Sequence, residues 1–190
     1  HVMSGVMWIG LLWYFNFVQT PSMPKIPDEQ KPAIGKVIAP AALFWFRWGA
    51  MATLITGVLL AWNQGYLLQA LTLGALDDPS FAVPKHILIG VGMWLAIIMW
   101  FNVWFVIWPR QQKVIAAANG QSVENLPAIA RRAFLASRTN TLFSIPMLFL
   151  MGSASHLPIH VASSTVVGIW FLVMLGLILL LEANALLATN

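Results

Sequence analysis

The chain contains no cysteine among its 190 residues. This absence excludes disulfide bonds, iron–sulfur clusters and thiolate-ligated metals within the sequence. Charged residues are also scarce, since Asp, Glu, Lys and Arg make up only 8% of the chain, whereas 59% of it is hydrophobic. Such a composition excludes an ordinary water-soluble globule and predicts an all-α integral membrane protein.

Five apolar stretches approach the length of about 20 residues that a helix needs to cross the hydrocarbon core of a bilayer. They are residues 1–18, 41–62, 86–108, 140–155 and 162–187. The fourth stretch is the shortest, and Pro146 is expected to interrupt it. The sequence therefore predicts one transmembrane domain over 1–190 with five helices. Because the sequence starts at His1 and not at Met, we expect further residues upstream of it. A signal peptide that is cleaved before His1 is an alternative.

The basic residues predict the orientation of these helices. Nine of the ten Lys and Arg lie in or beside segments 19–40 and 109–139, which join helices on one side of the bundle. The positive-inside rule places that side in the cytoplasm. Residue 1 is then expected on the periplasmic side of a bacterial inner membrane and residue 190 on the cytoplasmic side. The net charge of +4 follows from this asymmetry and does not indicate nucleic-acid binding.

One sequence pattern occurs twice. The segments His1–Asn16 and His86–Asn102 each begin with His, have Gly four residues later, continue to Met-Trp and end in Phe-Asn, and one inserted glycine separates the copies. The repeat predicts two similar helix hairpins, 1–62 and 86–155, related by a pseudo-twofold axis as a four-helix bundle. Residues 162–187 would add a fifth helix. Chance alignment of abundant residues is the alternative.

The repeated histidines predict a heme cofactor. Two histidines at matched places in two membrane helices can supply both axial ligands of a heme iron. A glycine one turn below each histidine leaves room for a flat macrocycle, although small residues also serve close helix packing. The candidate residues for binding heme b are His1, His86, Gly5, Gly90, Trp8 and Met93, with the two histidines as iron ligands.

Two further features have weaker interpretations. His156 and His160 have i,i+4 spacing, but Pro158 between them disfavours a regular helix, so a zinc or copper site is only an alternative. Glu182 is the only acid in a predicted membrane segment. It is expected either at the interface or in an ion pair with Arg47 or Arg138.

Three stretches resemble the membrane domain of the bacterial urate hydroxylase family, whose members can continue into a cytochrome c domain. They are residues 1–10, residues 102–112 with their Trp-Pro-Arg-Gln-Gln run, and Glu182-Ala183-Asn184-Ala185. A more distant likeness is to the heme-dependent protoporphyrinogen oxidases. These resemblances imply that His1, and less directly His86, ligate heme. The sequence departs from the family pattern because it has no Cys-x-x-Cys-His motif for cytochrome c.

These observations together favour a b-type heme protein that transfers electrons near the periplasmic face. The expected partners are the lipid bilayer, other membrane subunits of a respiratory or photosynthetic complex, and a periplasmic cytochrome c, but no nucleic acid. A cofactor-free structural subunit and a urate-hydroxylase-type oxidoreductase are the alternatives.

Overall fold

The computed structural model describes residues 1–76, 84–157 and 164–187, and within these ranges it contains helices and no strands. This confirms the all-α prediction. The first two long helical stretches are built from α1 (Val2–Trp13), a π-helical segment Tyr14–Gln19, the short helices α2 (Thr20–Ser22) and α3 (Lys31–Ala33), a π-helical segment Ile34–Ile38, and α4 (Ala39–Asn63). The short helix α5 (Leu67–Leu71) follows.

In the second half of the described chain a π-helical segment again lies between α-helices. It consists of α6 (Pro84–Phe101), a π-helical segment Asn102–Ile107, α7 (Trp108–Ala118), α8 (Leu126–His156) and α9 (Ser164–Leu187). The helical stretch continues past residue 108, where the third predicted apolar stretch ended. Pro109 lies in the first turn of α7, where a missing amide hydrogen costs little.

Three helical stretches are long and apolar enough to cross a membrane: Val2–Lys25, Lys31–Asn63 and Lys85–Ala118. Leu172–Leu187 forms a shorter apolar helix. The described residues therefore fit a multi-pass membrane protein, while the five predicted crossings are not all confirmed. Helix α8 is long, at 31 residues, but it carries three arginines and several buried polar side chains.

Helix α8 is longer than the predicted stretch 140–155, and Pro146 lies inside it without ending it. The extension has a packing reason. One face of α8 buries residues at alternating spacings of three and four, which is the helical period. These are Ala133, Ala136, Asn140, Phe143 and Met147. Because this whole face packs against the bundle, the loss of one backbone hydrogen bond at Pro146 does not break the helix.

The core lies where α1 packs on α4 and where α6 packs on α8. Its fully buried side chains include Trp8, Leu12, Leu95 and Met99. Gly49 allows α1 and α4 to approach closely, because a Cβ at this position would lie 3.3 Å from the backbone nitrogen of Trp8.

The two copies of the sequence repeat share a structural detail. In each copy an asparagine lies in a π-helical segment and donates a hydrogen bond to α8. Asn16 bonds Oγ of Ser137 at 2.8 Å, and Asn102 bonds Oδ1 of Asn140 at 3.0 Å. Departures from α-helical geometry of this kind occur frequently at functional sites. The pseudo-twofold hairpin repeat itself stays a prediction.

Candidate functional site

A cavity of about 210 Å³ lies among α1, α4, α5, α6 and α8. Its lining is mostly aliphatic, with the His1 imidazole and Thr53 as the main polar groups. Three of the six predicted cofactor-binding residues line it, namely His1, Trp8 and Met93. The other three, His86, Gly5 and Gly90, are not among the lining residues.

The imidazole of His1 is held through Nδ1, which lies 3.1 Å from the backbone oxygen of Thr53. A carbonyl oxygen can only accept, so the bond requires the hydrogen to be on Nδ1. Nε2 is then the ring nitrogen that keeps a lone pair. Metal-binding histidines are commonly oriented in this way, with the second ring nitrogen donating to a backbone carbonyl. The backbone oxygen of Thr53 therefore holds one ring nitrogen of His1, and in the neutral ring the other nitrogen can act as an acceptor or donor atom to a metal.

Gly57 on α4 makes room for this imidazole. A Cβ at this position would lie 3.0 Å from Cε1 and 3.3 Å from Nδ1 of His1, which is too close without movement of the ring. Sequence reasoning missed both Gly57 and Thr53. The sequence did carry one indication of them, since Thr53 and Gly57 are four residues apart and therefore share one face of α4.

The glycines chosen from the sequence pattern have other surroundings. A Cβ at Gly90 would overlap the backbone oxygen of Ala70 and would lie 2.8 Å from a methyl group of Leu73. Residues at and just after α5 therefore occupy the space expected for a macrocycle, because the chain after α4 folds back onto α6. Gly5 has only an ordinary contact, 3.9 Å to a methyl group of Thr53. The assignment of His86 as an iron ligand stays a prediction.

The two tryptophans of the repeat differ in their environment. Trp8 is 1% exposed, and its indole nitrogen has no hydrogen-bond partner among the described residues. Trp94, its counterpart, is 45% exposed, and its indole nitrogen donates to the backbone oxygen of Leu71 at 3.0 Å. Trp8 is thus a cavity-lining residue whose buried indole nitrogen has no acceptor among the described residues.

A buried polar cluster lies where α6 passes into the π-helical segment Asn102–Ile107. Nδ2 of Asn102 donates to Oδ1 of Asn140 and to Oε2 of Glu182, each at 3.0 Å. Nδ2 of Asn140 donates to the backbone oxygen of Met99 at 2.9 Å. Both asparagines are completely buried. The cluster therefore ties α6, α8 and α9 together through side-chain amides.

Glu182 pairs with neither of the arginines that the sequence suggested. The guanidinium of Arg47 lies over the Trp108 ring, 3.5 Å from its centroid, and Arg138 lies 5.4 Å from the centroid of Phe134. In the described part of the chain the one ion pair joins Lys31 to Asp28. There the hydrogen bond from Lys31, together with its charge, lowers the pKa of Asp28 below its ordinary value. The arginines instead use aromatic faces, which attract cations through the ring quadrupole.

The sequence suggested a zinc or copper site at His156 and His160. Over residues 1–76, 84–157 and 164–187, no group of three or more metal-ligating side chains of His, Cys, Asp or Glu occurs. His156 ends α8 and is exposed, and His160 lies outside the described residues. The zinc or copper alternative is therefore untested.

Comparison with known families matches residues 76–183 to the family described as urate oxidase N-terminal. The match covers more than half of the chain and confirms the resemblance seen in the sequence. It includes His86, Met93 and Glu182 but not His1. Neither the curated proteins nor the solved structures contain a match to the chain.

Proposed function

Because the chain belongs to the urate oxidase N-terminal family, we propose that it is a membrane-embedded redox domain that binds heme b beside His1. The observation that supports this proposal most is the position of the His1 imidazole, which lines an apolar cavity. Its Nδ1 is held by the backbone oxygen of Thr53, so that Nε2 of the neutral ring keeps its lone pair. Heme iron, when bound, supplies one-electron chemistry. The proposed activity is electron transfer.

Several residues around the cavity support this proposal. His1 would bind the iron, Thr53 would orient the imidazole, and Gly57 leaves space for the ring. Met93 lines the same cavity and carries a thioether, which is the second ligand in His/Met-ligated hemes. We therefore propose Met93 as the second iron ligand, in competition with His86 from the sequence repeat. The aliphatic walls would exclude water and so influence the reduction potential.

The size of the cavity implies movement on binding. Its volume of about 210 Å³ is smaller than the roughly 300–1,000 Å³ of typical small-molecule sites. Leu67 and Leu71 of the short helix α5 form part of the wall. We expect a heme to displace α5, because a five-residue helix is easier to move than the long helices around it.

The proposed membrane arrangement has five crossings. Helices α8 and α9 would join the three apolar stretches, with α1, α4, α6 and α8 as the pseudo-twofold bundle. We propose the bacterial inner membrane with residue 1 on the periplasmic side, which would put His1 near that face. A periplasmic cytochrome c or another subunit of a respiratory or photosynthetic complex would exchange electrons there.

The test is an absorption spectrum of the purified protein, reduced and oxidised. We expect the sharp visible bands of a low-spin b heme. His1→Ala should abolish them, whereas His156→Ala, an exposed histidine at the end of α8, should leave them intact. A native preparation without heme absorbance would overturn the proposal and favour a cofactor-free structural subunit.

A second candidate is a urate-hydroxylase-type oxidoreductase, and the family match over residues 76–183 favours it. Membranes containing the chain would then consume urate, and His1→Ala would stop the consumption. Absence of urate turnover in membranes with a normal heme spectrum would leave electron transfer as the function.

A further inference from the structure

A second cavity, of about 450 Å³, lies where α7 and α8 begin. Arg110, Lys113 and Arg132 line it together with Asn125. Arg132 is 19 residues from Met151 of the first cavity along α8, which corresponds to about 28 Å of helix. The two cavities therefore lie toward opposite ends of the bundle.

Within the part of the chain that the structure describes, no carboxylate forms an ion pair with the three cations on this cavity. No lining residue is acidic, and Glu124 is not among them although it precedes Asn125. Arg110 donates from Nη1 to the backbone oxygen of Val106 at 2.8 Å, and Arg132 lines the same cavity. Bringing like charges together is unfavourable unless an anion compensates them. The arrangement thus favours an anionic ligand.

The beginning of α8 adds to this positive potential. Asn125 precedes the helix in a left-handed conformation, with φ of 55°, and no side chain caps the first turn. Ala128 and Ile129 of that turn line the cavity. The first amide groups of a helix lack partners within it, and its N-terminus carries a partial positive charge. This charge reinforces the three side chains.

We propose that this basic cavity binds the phosphate group of an anionic phospholipid. Guanidinium groups recognise phosphate through paired hydrogen bonds, and basic cavities between membrane helices on the cytoplasmic side suit lipid headgroups. The location favours a lipid over a soluble phosphate. The cavity lies at the end of the apolar stretch Lys85–Ala118, and Phe101 and Phe105 are exposed on the turns before it. Acyl chains can pack on these rings while the phosphate occupies the cavity.

The experiment measures binding to the 190-residue chain after removal of native lipid in a neutral detergent. Phosphatidylglycerol, phosphatidylcholine and inorganic pyrophosphate are titrated separately, with thermal stabilisation as the readout. We expect phosphatidylglycerol to stabilise the protein at concentrations where the other two do not. Arg132→Gln should weaken the apparent affinity by about tenfold or more, since a charge-assisted hydrogen bond is lost.

Arg131→Gln is the matched control, because Arg131 is the exposed neighbour of Arg132 on α8 and does not line the cavity. It should leave the affinity within about twofold, because an exposed charge contributes little. Equal losses in both variants would overturn the proposal in favour of diffuse surface attraction. Equal stabilisation by pyrophosphate would overturn the lipid as the ligand.

If Arg132→Gln fails to fold, the same titrations are made with Arg132→Lys and Lys113→Gln. Wild-type affinity in Lys113→Gln would then refute the site.

Discussion

The side-chain amide of Asn102 donates a hydrogen bond to the carboxylate of Glu182 at 3.0 Å, 80 residues away along the chain. Asn102 is completely buried, and its Oδ1 has no hydrogen-bond partner among the described residues. This bond joins the π-helical segment after α6 to α9. Since Glu182 has no cationic partner in the described part of the chain, the amide is the group that holds its carboxylate.

The first prediction concerns this bond. Glu182→Leu should lower the free energy of unfolding by about 1–3 kcal/mol, because it leaves the buried amide of Asn102 with one acceptor fewer. Glu182→Gln should lose less, since the side-chain oxygen of glutamine still accepts. Thermal unfolding in detergent measures both. Asn184→Ala, at an exposed position of the same helix, is the control and should change little. Equal destabilisation by Glu182→Leu and Asn184→Ala would contradict the structural role.

The second prediction separates Met93 from His86 as the second heme ligand. Met93→Leu removes the sulfur at nearly constant volume and should convert the heme from low spin to high spin. Met99→Leu is the matched control, because Met99 is completely buried in the core and does not line the cavity. The visible spectrum reports the change. A high-spin heme in His86→Ala, together with an unchanged spectrum in Met93→Leu, would instead support the pair of histidines.

The third prediction concerns the space that Gly57 leaves for His1. Gly57→Ala should displace the imidazole, because the added Cβ would lie 3.0 Å from Cε1. Heme content per protein should fall, whereas the fold should persist, since alanine favours a helix over glycine by up to about 1 kcal/mol. Gly10→Ala on α1 has no neighbouring atom within 4 Å of the new Cβ and serves as the control. Unchanged heme content in Gly57→Ala would show that heme binding does not depend on the imidazole position that Gly57 permits.

The fourth prediction concerns orientation in the membrane. The chain has no cysteine, so single cysteines can be introduced and labelled from the periplasmic side with an impermeant reagent. Ser155→Cys should react with the reagent. Gln30→Cys should not react, because Gln30 lies in segment 19–40, whose basic residues predict a cytoplasmic location. Both positions are exposed and uncharged, so neither change alters the charge distribution. The reverse labelling pattern would invert the assigned orientation.

Several features of this protein followed from its sequence. The scarcity of charge and the long apolar runs required helices, because a backbone in lipid must satisfy its hydrogen bonds internally. The Trp108-Pro109 run and the residues after Glu182 indicated the family that the match over 76–183 then showed. The start of α8 at Leu126 was missed, because the fourth stretch was predicted to begin at residue 140, although Ala133, Ala136 and Asn140 have helical spacing.

The surroundings of each candidate residue were decided by the tertiary structure. The repeat paired His1 with His86, but the folded chain places Thr53 and Gly57 of α4 against the His1 ring and the Ala70 carbonyl against Gly90. Helical periodicity states which residues share a face of one helix. It does not state which helix covers that face, because lateral order depends on packing between segments far apart in sequence. The sequence therefore determined the helices, and their packing determined what His1, Gly90 and Glu182 contact.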